Sequence, residues 1–197
     1  MGLDSVELAM SLEKVFNIQI PGPEWGKIST IEEISEAFYA KMILEPSDKN
    51  ISLSIFNKVK NIIKYLEINQ ITITSQTKVK DIFPIESLQK KWNELESKLE
   101  LKLPKLVEMD FDSNLKSYIM VFGFKTIKRK QPVTKGTMKQ LIDWIISLNY
   151  KKIIDLNKVT SKYEIQRIVI GVTSEKIGIP VNEIELRHSI TNDLGVD

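Results

Sequence analysis

Apolar residues recur at helical spacing in six stretches of the chain, and segments rich in proline, glycine and polar residues separate them. Residues three and four apart share one face of a helix, so each stretch predicts an amphipathic helix. The six ranges are 4–17, 31–42, 52–67, 86–101, 134–148 and 161–177. Because none of these helices can bury its apolar stripe alone, the pattern predicts an all-α protein of packed helices.

Residues at the ends of these stretches support the helix assignments. Thr30 followed by Glu33 forms a capping-box sequence at the start of the second helix. Gly178 follows the last helix at the position where a left-handed residue commonly ends a helix.

Two segments do not fit this pattern. Residues 70–84 are rich in β-branched side chains and could form a strand, which conflicts with their position between two helices. Residues 118–130 contain an apolar patch followed by a basic run, and their sequence does not predict one structure.

Composition narrows the classes of function. The chain has 197 residues, 42% of them hydrophobic, which suits one or two domains. It has no cysteine and only one histidine, His188, so disulfides and thiolate chemistry are excluded and no metal site is expected. No apolar run approaches the roughly 18 residues of a membrane helix, and no signal peptide is evident, so we expect a cytoplasmic protein.

The net charge of +2 hides an uneven distribution. Residues 1–46 carry 8 acidic and 3 basic side chains, and residues 159–197 carry 6 and 4. Residues 47–158 carry 12 acidic and 21 basic side chains. This asymmetry predicts different partners for different surfaces. Nucleic-acid binding is not expected, because no aromatic side chains alternate with the basic residues.

The two chain ends carry motifs that complement each other. The chain ends in Asp-Leu-Gly-Val-Asp (193–197) and begins with MGLDSVELAMSLEKVFNIQIP. Joined end to start, these segments resemble the acyl carrier protein family, in which a DLGxD box precedes the serine that receives 4′-phosphopantetheine. The resemblance covers about 85 residues. It implies a carrier domain formed by 1–46 and 159–197 in circularly permuted order.

The resemblance also implies where the cofactor belongs. The modified serine would lie between Asp197 and Gly2, so the chain in its present order is expected to lack it. Ser5 is the only hydroxyl in the first turn of the helix that follows, and it is a second, weaker candidate for attachment. Unpaired backbone N–H groups and the helix dipole at that end would favour the phosphate.

In this family, apolar side chains among the helices shelter the acyl chain. The resemblance maps this pocket to Val6, Met10, Leu12, Phe16, Ile20, Ile28, Ile31 and Ile34, all of which could equally be ordinary core residues. Partner enzymes meet an acidic face of the helix, which here would include Glu7 and Glu13. The implied partners are a phosphopantetheinyl transferase and acyl-transfer enzymes.

The middle of the chain is similar to the ends. Residues 57–84 parallel the C-terminal segment, and 85–106 parallel the N-terminal one, so 47–158 is interpreted as a second, degenerate carrier-like domain. There DIFPIES replaces the modification motif, and Ser87 is expected to stay unmodified.

The sequence as a whole therefore predicts two acyl-carrier-like helical bundles that tether acyl or aminoacyl groups for a lipid or specialised-metabolite pathway. The alternative is a carrier-fold interaction protein that docks partner enzymes without being modified. An enzyme is not expected, because no convergent set of acid, base and nucleophile is visible. The permuted halves would be reunited within a monomer or across a domain-swapped dimer.

Overall fold

A computed structural model describes residues 3–44, 50–68, 71–112, 114–115, 118–121, 124–128 and 130–196. The chain divides into two compact units. The terminal unit combines Met1–Ile51 with Ile146–Asp197, and the middle unit is Ser52–Ile145. The sequence-based domain limits were 46/47 and 158/159, whereas residues 146–158 group with the chain ends.

The terminal unit is built from helices contributed by both ends of the chain. The helices are α1 (Leu3–Phe16), α2 (Gly22–Trp25), α3 (Ile31–Lys41), α9 (Tyr150–Ile153) and α10 (Lys162–Ile177). Helix α10 packs against α1 and α3, as expected for amphipathic helices that cannot bury their apolar stripes alone. The core side chains that these three helices bury include Leu12, Phe16, Ile31, Ile34, Phe38, Ile165, Ile168 and Val172.

The ends of α3 and α10 follow the local signals in the sequence. The Thr30 side chain accepts the Glu33 backbone N–H, and the Glu33 carboxylate accepts the Thr30 N–H, which confirms the capping box. Ser161 caps α10 in the same way, through the backbone N–H of Glu164. Gly178 ends α10 with φ +72°, the left-handed conformation that glycine adopts without strain.

Helix α10 is unusual because it is buried on nearly every side from Glu164 to Thr173. A glycine makes one of its close contacts feasible. A Cβ atom on Gly171 would lie 2.3 Å from the carbonyl oxygen of Ser147 and 2.5 Å from the Tyr150 ring. Gly171 therefore allows the end of α8 and the start of α9 to approach the backbone of α10.

The middle unit contains helices and one short hairpin. Its elements are α4 (Ile51–Tyr65), α5 (Val79–Ile82), α6 (Leu88–Leu99), α7 (Glu108–Phe111), β1 (Tyr118–Val121), β2 (Phe124–Lys128) and α8 (Met138–Leu148). The unit boundaries fall inside α4 and α8. Its buried side chains include Val59, Ile63, Val79, Ile82, Leu88, Leu95, Leu99, Met138, Leu141 and Ile142.

The β-branched segment does not form an extended strand. Residues 71–78 are irregular apart from a single bridge between Lys78 and Thr137, and α5 follows. The backbone N–H of Val79 donates to the carbonyl of Gly136, and that of Met138 donates to the carbonyl of Thr77. Buried Val79 and Ile82 place this segment in the core of the middle unit, so tertiary packing decides its structure against its local propensity.

The predominance of helices agrees with the predicted all-α class. The exception among the described residues is the antiparallel β1–β2 pair, which lies in the segment that the sequence left unassigned. Its register pairs Ile119 with Ile127 and has an irregularity between Ile119 and Met120. The described chain contains no helix with both the length and the apolar character that spanning a membrane requires.

We predict that Gly171→Ala destabilises the terminal unit. The new methyl group would overlap the Ser147 carbonyl and the Tyr150 ring. Overpacking of this kind costs about 1–3 kcal/mol. Replacing glycine by alanine in a helix gains about 1 kcal/mol in helix propensity, so the net effect is destabilising unless the overpacking cost is at its minimum. Urea unfolding followed by circular dichroism measures the change. Gly26→Ala is the matched control, because a Cβ there would make only ordinary contacts, the nearest at 3.7 Å to the carbonyl oxygen of Gly22. Equal stability of the two variants would contradict the close approach.

Candidate functional site

Backbone hydrogen bonds join the segment before α3 to the C-terminal segment. The N–H of Ile31 donates to the carbonyl of His188 at 3.2 Å, and that of Glu32 donates to Leu186 at 2.7 Å. In the opposite direction, the N–H of Ile190 donates to the carbonyl of Ser29 at 2.9 Å. These three bonds fix the position of the C-terminal segment relative to the N-terminal helices.

The end of the chain is itself a folded turn. The Asp193 carboxylate accepts the backbone N–H of Ser189 at 2.8 Å, and the N–H of Val196 donates to the carbonyl of Ile190 at 3.0 Å. Gly195 has φ +66°, so the turn uses a conformation that favours glycine. Leu194 and Val196 are buried. Asp193 and Gly195 of the DLGxD sequence therefore have clear roles in shaping the turn.

This turn lies beside the start of α1. A cavity of about 180 Å³ lies between the turn, the start of α1 and the end of α10. Its lining residues are Asp4, Glu7, Lys176, Ile177, Leu194, Gly195 and Val196. Residues close to both chain ends thus line one cavity at the N-terminus of a 14-residue helix, where unpaired N–H groups favour an anionic group. Lys176 adds a positive charge, and Asp4 and Glu7 add negative ones.

Residues next to the predicted attachment positions line this cavity. Asp197 and Gly2 fall outside the described residues, so their predicted meeting stays a prediction. Their neighbours Val196 and Asp4 line the same cavity. Ser5 is half-buried in the first turn of α1 and already takes part in an interaction within the chain.

The proposed acyl-pocket residues divide into two groups. Those with buried side chains are Leu12, Phe16, Ile20, Ile31 and Ile34, and Ile28 is half-buried. Val6 and Met10 are 39% and 64% exposed, so assigning them to the inward stripe was wrong. At about 100° per residue, the buried side of α1 is defined by Leu8, Ala9, Leu12 and Phe16. Met10 lies on the opposite side of that helix, and Val6 lies on its flank.

The two predicted docking carboxylates also differ. Glu7 is exposed and lines the cavity. The Glu13 carboxylate accepts two hydrogen bonds within the chain, from the Ile20 backbone N–H and the Trp25 indole N–H, both at 2.9 Å. Glu13 therefore fastens the loop after α1, and Trp25 in turn contacts the buried Phe38 ring edge-on. No sequence motif indicates this role, because it depends on the conformation of the loop.

His188 takes part in the turn that precedes Ser189. Its Nδ1 accepts the backbone N–H of Glu185 at 3.1 Å, and its side chain is half-buried rather than freely solvated. Among the described residues, His, Asp and Glu side chains do not gather in groups of three or more that could hold a metal ion.

Glu33 stabilises the segment that pairs with the chain end. Its Oε2 accepts the Ser29 backbone N–H at 2.7 Å, the Ser29 hydroxyl at 2.8 Å and the Thr30 N–H at 3.1 Å. These hydrogen bonds, led by the Ser29 backbone N–H, lower the pKa of Glu33 below its ordinary value of 4.5. The ionised carboxylate therefore orders the backbone that holds residues 186–190.

Comparison of the chain with protein-family models, with curated proteins and with solved structures yields no match.

We predict that Glu33→Gln lowers the folding stability at pH 7 and reduces the loss of stability that acid causes. Because the folded-state pKa of Glu33 is depressed, its contribution is present above the unfolded pKa of about 4.5 and is lost as the pH falls through the folded pKa. Urea unfolding at pH 7 and again near pH 3 should show a gap between wild type and variant that narrows in acid. Glu32→Gln, one residue earlier on α3, is the control. A gap of the same size at both pH values would rule out this role for the Glu33 charge.

Proposed function

We propose that the terminal unit is a carrier module of the acyl-carrier type, which holds an acyl or aminoacyl group through 4′-phosphopantetheine at the N-terminus of α1. The observation that supports this most is the cavity at which Leu194–Val196 meet Asp4 and Glu7. It places the end of the DLGxD-like segment beside the start of the LDSVEL-like helix. In the carrier family that the sequence resembles, this is where the modified serine lies.

The chemistry of the arm suits this position. A phosphodiester at the start of α1 would face unpaired backbone N–H groups and the positive end of the helix dipole, with Lys176 at the cavity wall. The acyl group would lie against apolar side chains of α1 and α3. The interior is well filled, since the Phe16 and Phe38 rings stack with centroids 4.4 Å apart. Sheltering a long chain would therefore require α1 and α3 to separate, so a short acyl or aminoacyl group fits this interior better.

The partners of such a module would be a phosphopantetheinyl transferase and acyl-transfer enzymes. The exposed face of α1 offers them Glu7 beside Val6 and Met10. A basic surface with a small apolar contact would complement it. Glu13 is less suited to this role, because its carboxylate already holds the Ile20 and Trp25 N–H groups.

The second candidate is a carrier-fold module that docks partners without being modified. The exposure of Val6 and Met10 favours it, because two exposed apolar side chains one turn apart on a helix suit a protein contact.

We predict that a reordered chain accepts phosphopantetheine. The variant runs 47–197, one added serine, and then 3–46, so that it retains both units. A single residue between Asp197 and Leu3 bridges about 7 Å, which is compatible with Val196 and Asp4 lining one cavity. Incubation with coenzyme A and a phosphopantetheinyl transferase should add one arm of about 340 Da, detected by intact mass on the added serine. The chain in its present order should gain no mass.

The control is the same reordered chain with alanine in place of the added serine, which should stay unmodified. If both reordered chains fold, as judged by circular dichroism, and neither gains mass, the docking function replaces the carrier proposal. A single addition on Ser5 of the chain in its present order would show that the attachment site is misplaced. Ser87, which lies just before α6, is expected to stay unmodified in every variant.

A further inference from the structure

The middle unit contains a cavity that the carrier function does not use. It measures about 400 Å³, within the range of about 300–1,000 Å³ typical of small-molecule sites. Its described lining comes from the segment leading into α7, from the start of that helix and from one residue after the β2 strand. Its lining residues are Leu106, Val107, Glu108, Met109 and Lys130.

Two hydrogen bonds fix the position of the chain just before it reaches the cavity. The Trp92 indole N–H donates to the carbonyl of Pro104 at 3.0 Å. The backbone N–H of Leu103 donates to the Glu96 carboxylate at 2.8 Å. The Trp92 bond is buried, and the Leu103 bond is partly buried. The chain therefore enters residue 106 in a fixed direction.

Asp110 fixes the wall at its other end. This carboxylate is only 4% exposed, and each of its oxygens has a partner. One oxygen accepts the Val107 backbone N–H at 2.8 Å, and the other accepts the Thr134 backbone N–H at 2.7 Å and the Thr134 hydroxyl at 2.8 Å. Because hydrogen bonds hold this segment at both ends, the cavity wall is formed before a ligand binds. A preformed wall reduces the entropic cost of binding.

The side chains that line the cavity select a class of ligand. Leu106, Val107 and Met109 offer an apolar surface, and Met109 is buried. Lys130 is exposed at the rim and supplies a positive charge. Among the described residues that line the cavity, Lys130 is the one whose side chain offers a positive charge to a ligand's polar end.

The charges around the cavity favour a polar end with a single negative charge. Residues 52–145 carry 17 basic and 10 acidic side chains, so the surrounding field favours an anion. Glu108 is exposed on the same cavity and would repel a second negative charge. A single carboxylate therefore suits the site better than a phosphate dianion.

We propose that this cavity binds a monoanionic amphiphile, with its carboxylate at Lys130 and a short apolar tail against Leu106, Val107 and Met109. A medium-chain carboxylate such as octanoate has this chemistry. The site is separate from the start of α1, so its occupation and the modification of the terminal unit can be tested independently.

The test titrates the complete, ¹⁵N-labelled chain with sodium octanoate and follows the backbone amide signals. Signals of residues 106–109 and 130 should shift in a saturable way. Lys130→Gln should weaken binding about fivefold, the size expected when one exposed ion pair is lost. Lys135→Gln is the matched control, because it removes the same charge from an exposed lysine that does not line the cavity. It should leave the affinity within about twofold of wild type.

Octanol, which has the same tail without the charge, separates the contribution of the carboxylate from that of the apolar tail. It should bind more weakly than octanoate, and Lys130→Gln should not change its affinity. Shifts spread over other residues, equal losses in the two lysine variants, or equal affinity for octanol and octanoate would each overturn the proposed site. None of these outcomes bears on the modification of the terminal unit, which is read from its mass.

Discussion

The terminal unit depends on the burial of α10. This helix comes from the C-terminal part of the chain, yet the side chains that surround it belong largely to α1 and α3 from the N-terminal part. Nearly all of its sides are buried from Glu164 to Thr173, so neither part can form a core without the other. The pairing of residues 29–32 with 186–190 and the turn at 193–196 follow from this arrangement, and the cavity at the start of α1 follows from the turn.

The sequence predicted the elements of this unit well because its signals are local. Thr30 with Glu33, and Gly178 with φ +72°, are short-range features whose physics does not depend on the rest of the fold. The contact of α10 with α1 and α3 was also predictable, because three amphipathic helices need partners. The orientation of individual side chains was harder. The stripe on α1 was placed partly on the wrong side, since Leu8 and not Met10 faces inward.

The sequence was less informative where distant residues set the structure. Residues 71–84 have strand propensity, but buried Val79 and Ile82 draw them into a helical core. The role of Glu13 depends on Trp25 and Ile20, which only the folded loop brings together. Likewise, Asp110 joins Val107 to Thr134 across 24 residues, so the cavity that it supports in the middle unit left no recognisable motif.

The hydrogen bonds between residues 29–32 and 186–190 also determine the order in which the chain can fold. Contacts this far apart in sequence are slow to form, and a ribosome releases the N-terminal residues long before the C-terminal ones. The middle unit, whose residues are contiguous, can fold while α1 and α3 still expose Leu12, Ile31, Ile34 and Phe38. During synthesis these apolar side chains therefore stay exposed until α10 emerges and packs against α1 and α3.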